Sequence, residues 1–330
     1  MSPEVFRGER RRWWTLAAVS FGLFMIMLDN TVVNVALPSI QRDIDLGLSE
    51  LEWVVTGYAL TFAALMLIGG KLADAYGRRR LFVSGIAVFT LASLACGLAD
   101  SGTQLIAARV AQGVGASLMS PATLSIITAT FPARQRGTAI GIWAGVSALA
   151  LAIGPIVGGL LTDQASWHWI FFVNIPVGLL GIGASYLLID ESRDETHESL
   201  DLPGLATSAL GLFSLTYGLI EANAYGWTSP RIVGAFAVAA VSLTAFVLIE
   251  RARRAPMLEL ALFRNHTYVG ANVAVLLVSL AMSLVFIGHA VAVWRTADDE
   301  TAYGPARRMF RFSLLYLADL FAALPLDRII

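Results

Sequence analysis

Asp29 is a carboxylate inside an otherwise apolar stretch, where Asn30, Asn34 and Pro38 follow it. An ionised side chain at membrane depth costs about 3 kcal/mol or more, so it needs a partner, a water-filled cavity or a proton. Burial disfavours the ionised carboxylate, so an aspartate in this position can take up and release a proton. The alternative is structural: a hydrogen bond near the end of a helix, with Pro38 marking that end.

Arg109 is a second charge within an apolar run, and Gln112, Gly113 and Gly115 follow it. An arginine keeps its proton, so it must pair with an acid or extend its head group to the membrane surface. Paired with a carboxylate, it would favour the ionised acid and make the pair a protonation switch. The alternative is that Arg109 snorkels toward the outer membrane interface.

A third set combines glycines, an acid and a cluster of bases between two apolar runs: Gly70, Asp74, Gly77, Arg78, Arg79 and Arg80. The two glycines favour a tight turn between helices. The acid can make charge-assisted hydrogen bonds with the arginines. Such a clasp would form or break as helices move, and would bias one conformation over another. The alternative is that these arginines only set the orientation of the chain in the membrane.

A fourth set places several small residues and a proline in one apolar run: Gly141, Gly145, Gly154, Pro155, Gly158 and Gly159. Small residues let helix backbones approach closely, and a proline removes a backbone donor and favours a bend. The combination suits a helix that seals one side of a bundle. The alternative is helix packing without a gating role.

The elements that carry these residues are predicted to be transmembrane helices. Of the 330 residues, 57% are hydrophobic and 14% charged, against roughly 25% charged in soluble domains. Crossing a bilayer takes about 20 apolar residues, and strands of a barrel would alternate apolar and polar residues, which these runs do not. Nine spans are predicted at 13–37, 54–72, 81–99, 105–130, 137–161, 169–189, 202–220, 232–249 and 268–293, with a weaker run at 312–326.

Charge and cysteine content narrow the function classes. The net charge of −1 gives no basic balance that would favour nucleic acid, and a single cysteine, Cys96, excludes an internal disulfide. No cofactor or metal is predicted. The partners expected are the lipid bilayer, protons and small hydrophobic or cationic substrates.

The basic residues predict the orientation of the chain. With a cytoplasmic N-terminus, the outer loops before residue 268 hold two basic residues, Arg42 and Arg231. The cytoplasmic segments hold fifteen: Arg7, Arg10, Arg11, Arg12, Lys71, Arg78, Arg79, Arg80, Arg134, Arg136, Arg193, Arg251, Arg253, Arg254 and Arg264. The asymmetry breaks after the ninth span, which would leave four arginines from Arg295 to Arg311 outside.

Taken together, these patterns resemble the major facilitator superfamily, and specifically its fourteen-helix drug:proton antiporter branch. The segment 29–38 resembles the first-helix signature of that branch, and 70–81 resembles the loop motif between helices two and three. Arg109, Gln112 and Gly113 resemble the helix-four motif, and 154–159 the antiporter motif of helix five. The segment 167–178 resembles the entry to helix six. Ala75 departs from the pattern, since the family often has a basic residue there.

The resemblance implies alternating access, with substrate bound between two bundles and a proton driving export. It implies that Asp29 and Arg109 couple to the proton and that Asp74 belongs to the clasp. The expected location is the cell membrane, as a multi-pass secondary transporter and not an enzyme.

The predicted organisation is a six-helix transporter half followed by about three further helices. Its segments are a cytoplasmic tail (1–12), the six-helix bundle (13–189), a cytoplasmic loop (190–201), two linker helices (202–250), the start of a second half (251–293) and an atypical tail (294–330).

The tail at 285–328 resembles the C-terminal end of protoheme IX farnesyltransferases. Most of a second transporter half is not recognised after about residue 271, so three alternatives stay open. The chain is a C-terminally truncated exporter, a truncated or chimeric fragment that does not transport unless it dimerises, or a prenyl-transfer enzyme. The aspartate-rich metal motifs of that enzyme family are not found, which disfavours the last.

Overall fold

All regular elements in the described part of the chain are helices. The computed structural model describes residues 9–193, 201–253 and 264–295. Within these ranges nine helical spans are long and apolar enough to cross a membrane. This confirms the predicted all-α membrane fold and its nine stronger spans. The weaker run at 312–326 and most of the atypical tail lie outside the described residues.

The helices are α1 (Glu9–Asp43), α2 (Leu48–Tyr76), α3 (Arg78–Gly97), α4 (Gly102–Thr130), α5 (Ala133–Gln164), α6 (Trp169–Phe172), α7 (Asn174–Leu188), α8 (Leu202–Tyr225), α9 (Pro230–Ala252) and α10 (His266–Arg295). The short α6 and the longer α7 together make the sixth span. Large apolar side chains point outward from the bundle, as with Leu91, Leu180 and Leu187. A surface of this kind suits lipid.

The first helix is longer than predicted and does not end at Pro38. It begins at Glu9 and continues to Asp43. A proline removes one backbone donor from a helix but does not forbid it. Here Ala36 and Ile40, on either side of Pro38, are fully buried, and this packing holds the last turns in place.

Of the two glycines in the predicted turn, only the second lies at the turn, because α2 runs through Gly70 to Tyr76. The chain turns at Gly77, whose φ of +113° lies in the region that favours glycine. A Cβ atom on the neighbouring Gly69 would overlap the Ser117 carbonyl of α4. Gly69 therefore permits close packing of α2 against α4.

Helix α4 packs directly against α2 and α3 within the first compact unit, which comprises the described residues of Met1–Arg136 and Leu149–Leu258. A Cβ atom on Gly113 would lie 2.7 Å from the Tyr58 carbonyl of α2. One on Gly115 would lie 2.5 Å from the Phe89 backbone nitrogen of α3. These approaches bring the polar face of α4 within hydrogen-bonding distance of its neighbours.

The second unit comprises Gly137–Ala148 and the described residues of Glu259–Ile330. Its long described helix is α10, whose described side chains are mostly exposed. Asp29, Arg109 and the residues that contact them all belong to the first unit.

Candidate functional site

Asp29 and Arg109 form an ion pair between α1 and α4. Arg109 Nη1 donates to Asp29 Oδ2 at 2.5 Å. The Asp29 side chain is 0% exposed and that of Arg109 is 1% exposed. The alternative that Arg109 snorkels to the membrane surface therefore does not hold. Removing one member of a pair buried to this degree would strand the other charge in a low-dielectric environment.

The other contacts of Asp29 are also hydrogen-bond donors. Gln112 Nε2 donates to Oδ1 at 2.8 Å, and Asn174 Nδ2 donates to the same oxygen at 3.3 Å. With Arg109, three N–H donors from α4 and α7 surround the carboxylate. An ionised carboxylate only accepts hydrogen bonds, so this arrangement matches the charged form of Asp29.

Arg109 keeps further partners besides the carboxylate. Its Nε donates to the Val54 carbonyl of α2 at 3.0 Å, and its Nη1 donates to Gln112 Oε1 at 2.6 Å. The ring of Tyr58 lies 4.2 Å from the guanidinium carbon, in a cation–π contact. The guanidinium would thus stay partly satisfied if Asp29 lost its charge.

Ser93 and Asn174 complete the polar cluster, and both are buried. Ser93 Oγ accepts from Gln112 Nε2 at 2.7 Å and from Asn174 Nδ2 at 3.2 Å. The site therefore joins α1, α2, α3, α4 and α7. Sequence reasoning assigned no role to Ser93, Asn174 or Tyr58. The only sequence signal for these three residues is a polar group within an apolar span.

The family of the chain follows from comparison with known proteins. The sequence profile of the Major Facilitator Superfamily matches residues 19–329. The chain belongs to the Major Facilitator Superfamily. This confirms the predicted family, and membership favours a transporter over an enzyme. The predicted likeness of the tail to a farnesyltransferase is not tested by this match and stays a prediction.

Several curated relatives of this superfamily have names that refer to drug resistance. The chain is 41% identical over 275 residues to the multidrug resistance protein Stp of Mycobacterium tuberculosis, covering 83% of this chain and 51% of the relative. It is 38% identical to the tetracenomycin C resistance and export protein of Streptomyces glaucescens, covering 84% and 51%. It is 38% identical to the puromycin resistance protein of Streptomyces alboniger, covering 84% and 56%. The chain thus spans about half the length of these relatives.

Asn30 and Asn34, the other polar residues of the helix-one motif, make no hydrogen bond to the buried pair in the described structure. Asn30 Nδ2 donates to the Ile26 carbonyl at 3.2 Å, and Asn34 Nδ2 donates to the Asn30 carbonyl at 2.7 Å. Both bonds stay within α1. Each bond satisfies a side-chain amide within the helix.

The helix-five motif of the superfamily is divided between two faces of α5. A Cβ atom on Gly154 would overlap Thr31 Oγ1, and one on Gly158 would lie 3.1 Å from the Val32 Cα. A Cβ atom on Gly159 would meet nothing within 4 Å among the described residues, and Pro155 is exposed. Gly154 and Gly158 thus permit close contact with α1, two and three residues beyond Asp29.

The three arginines of the loop motif, Arg78, Arg79 and Arg80, bond to two different acids, Asp74 and Glu191. Arg78 donates to Asp74 Oδ1 from Nε at 3.1 Å and from Nη2 at 2.9 Å. Arg79 and Arg80 instead turn to Glu191, which accepts from their backbone N–H groups at 3.1 and 3.3 Å.

Glu191 therefore caps the N-terminus of α3 from a distant part of the chain. A Cβ atom on Gly77 would lie 2.6 Å from Glu191 Oε1, so the glycine makes room for this carboxylate. The Arg78 N–H also donates to the Ser192 carbonyl at 2.9 Å. Sequence reasoning missed Glu191, which lies in the predicted cytoplasmic loop (190–201).

Proposed function

We propose that the chain takes part in proton-coupled efflux of small hydrophobic or cationic molecules, with Asp29 as the proton carrier and Arg109 as its partner. The observation that supports this proposal is the fully buried pair between α1 and α4. A charge pair at this depth is costly to maintain. Such intramembrane ionisable residues in transporters belong to ion or substrate pathways far more often than to plain packing.

The donor set around Asp29 supplies a physical basis for coupling. A proton on Asp29 would cancel the charge that attracts Arg109, and the interaction of buried charges is much stronger than that of exposed ones. Arg109 would retain Val54, Gln112 and Tyr58 as partners. Protonation would therefore loosen α1 from α4 while the guanidinium keeps hydrogen-bond and cation–π partners.

Two further elements fit a change in the position of α1. Gly154 and Gly158 of α5 pack on α1 just beyond Asp29, so a shift of α1 would change the contacts between α1 and α5. The loop motif, Gly70, Asp74, Gly77, Arg78, Arg79 and Arg80, acts in this proposal as the conformational clasp. Glu191 belongs to it as the acid that receives two of the three arginine backbone groups.

The substrate class comes from the relatives, whose names refer to multidrug, tetracenomycin C and puromycin resistance. These are properties of those proteins, and their transfer to this chain is part of the proposal. The proposed location is the cell membrane with a cytoplasmic N-terminus, in line with the asymmetry of basic residues. An impermeant thiol reagent should label an Arg10→Cys variant only from the inner side, since the native Cys96 is buried.

The test is efflux of a fluorescent lipophilic cation from membrane vesicles under an imposed proton gradient. The wild-type chain should transport in a gradient-dependent manner, and Asp29→Asn should abolish that dependence. Asp100→Asn is the matched control, because this carboxylate is exposed in the loop between α3 and α4. Absence of efflux by the wild-type chain would contradict the transport proposal. Gradient-driven efflux by the Asp29→Asn variant would remove Asp29 from the mechanism while leaving transport intact.

The role of helix five has its own matched pair of variants. Gly154→Ala should reduce efflux because its Cβ atom overlaps Thr31, whereas Gly159→Ala should not, because its Cβ atom meets open space. Equal loss in both variants would point to a general effect of glycine replacement on α5 and against this contact.

A further inference from the structure

A polar cavity lies at the end of the first unit where α1 begins. Its volume is about 310 Å³, and it is bounded by the start of α1, the last turn of α4 and the segment that follows α7. Arg11 and Arg12 line it from α1, Thr130 from α4, and Asp190 and Ser192 from the third side. None of these residues takes part in the buried site around Asp29.

Among the described residues that line this cavity, the charges do not cancel. Arg11 Nη2 pairs with Asp190 Oδ1 at 2.5 Å. Arg12, by contrast, has no ion-pair or hydrogen-bond partner among the residues that the structure describes. One guanidinium with five N–H donors therefore borders the cavity with its charge uncompensated. Thr130 and Ser192 add hydroxyl groups, which can also donate to an anion.

The position of the cavity along α1 corresponds to a membrane interface. Trp13 and Trp14 come directly after the two arginines, and their side chains are 40% and 41% exposed. Tryptophans gather at the level of lipid headgroups, and the apolar part of α1 follows them. The cavity therefore lies at headgroup depth, beside the acyl region.

We propose that this cavity binds the phosphate group of a phospholipid, with Arg12 as its main ligand and Arg11 as the second. The planar guanidinium matches a phosphate with two parallel hydrogen bonds. Basic pockets between transmembrane helices commonly receive lipid headgroups. The Asp190 carboxylate competes with the phosphate for Arg11, so it limits the affinity. The proposal does not depend on the transport function.

The test is native mass spectrometry of the purified chain in detergent with a short-chain phosphatidylglycerol. The matching diacylglycerol and inorganic phosphate serve as comparison ligands. Arg12→Gln should weaken phospholipid binding by about tenfold, as expected for loss of a charge-assisted contact. Arg10→Gln should bind as wild type does, because Arg10 is exposed and does not line the cavity. Asp190→Asn should bind more tightly, because it frees Arg11.

Each of these results has a counterpart that would overturn the proposal. Unchanged binding in Arg12→Gln, or equal loss in Arg10→Gln, would remove the cavity as the site. Diacylglycerol binding as tightly as the phospholipid would exclude the phosphate as the recognised group. Inorganic phosphate binding as tightly as the phospholipid would exclude the lipid as its source. A monodisperse Arg12→Gln protein with wild-type thermal stability shows that lost binding does not reflect misfolding.

Discussion

Two arginine–carboxylate pairs in this molecule have the same nitrogen–oxygen distance and opposite surroundings. Arg109 and Asp29 lie 2.5 Å apart with side chains 1% and 0% exposed. Arg11 and Asp190 also lie 2.5 Å apart, with side chains 40% and 75% exposed. An exposed pair contributes at most about 1 kcal/mol to stability. A buried pair strands a charge when it is broken, which costs several times more. The nitrogen–oxygen distance therefore does not indicate how much a pair contributes to stability, whereas the burial of the two side chains does.

The surroundings also decide what each pair can do. The partners of Asp29 are three donors held by two other helices, so any change in its charge must change contacts between helices. The carboxylate of Asp190 can be replaced by water or by a competing anion without a change in helix packing. Under the proposed mechanism, the buried pair and not the exposed one would convert a protonation event into movement.

The largest predicted effect is the loss of stability in Arg109→Gln. The change leaves Asp29 charged and buried with only amide donors, which should cost roughly 3–5 kcal/mol. Arg11→Gln should cost less than about 1 kcal/mol. Reversible unfolding in mixed detergent micelles measures both. Similar losses in the two variants would show that burial does not separate the pairs.

A double-mutant cycle should give the next largest difference. The Arg109→Gln variant leaves the charge of Asp29 stranded, and Asp29→Asn removes that charge. The double variant should therefore lose about 2 kcal/mol less free energy of unfolding than the sum of the two single losses. The same cycle on Arg11 and Asp190 should give about 0.5 kcal/mol or less. Additive losses at the buried pair would contradict a direct interaction between the two charges.

Asn174→Ala tests the donors that surround the carboxylate. It removes bonds to Asp29 and Ser93 and leaves buried acceptors short of a partner, which should cost about 1–3 kcal/mol. Asn34→Ala is the control, because this exposed side chain bonds only within its own helix, and its loss should stay within about 0.5 kcal/mol. The readout is the free energy of unfolding, and a larger loss in the control would refute the role given to Asn174.

The smallest of these effects concerns Glu191, whose side chain is intermediate at 26% exposed. Glu191→Ala removes a cap from the first turn of α3 and should cost about 0.5–2 kcal/mol. Arg80→Gln removes only an ion pair whose arginine is 73% exposed, and should be close to neutral. If Arg80→Gln were as damaging as Glu191→Ala in the same unfolding assay, the ion pair and not the backbone cap would carry the stability.

The sequence predicted the features that depend on one segment at a time. Apolar length located the spans such as α8 and α9, and a charge within a span singled out Asp29 and Arg109. The continuation of α1 past Pro38 depends on the burial of Ala36 and Ile40 by other helices. Local helix propensity cannot predict this burial.

The misses at the site have a related cause. Ser93 and Asn174 are ordinary polar residues whose role comes from the helix that faces them. Glu191 lies 112 residues from the Arg79 backbone that it caps. Contacts of this kind become visible only once the helices are packed together.

The most direct test of the central claim is substrate-induced proton release from the purified chain in weakly buffered detergent solution. Addition of a lipophilic cation should shift the wild-type chain from the state in which Asp29 is protonated toward the state in which it is ionised and paired with Arg109. The protons released by this shift are detected with a pH-sensitive dye. Asp100→Asn should behave in the same way, and Asp29→Asn should release none because its side chain has no acidic proton to give up. If the Asp29→Asn variant released as many protons as the wild-type chain, the assignment of the coupled proton to the buried pair would be contradicted.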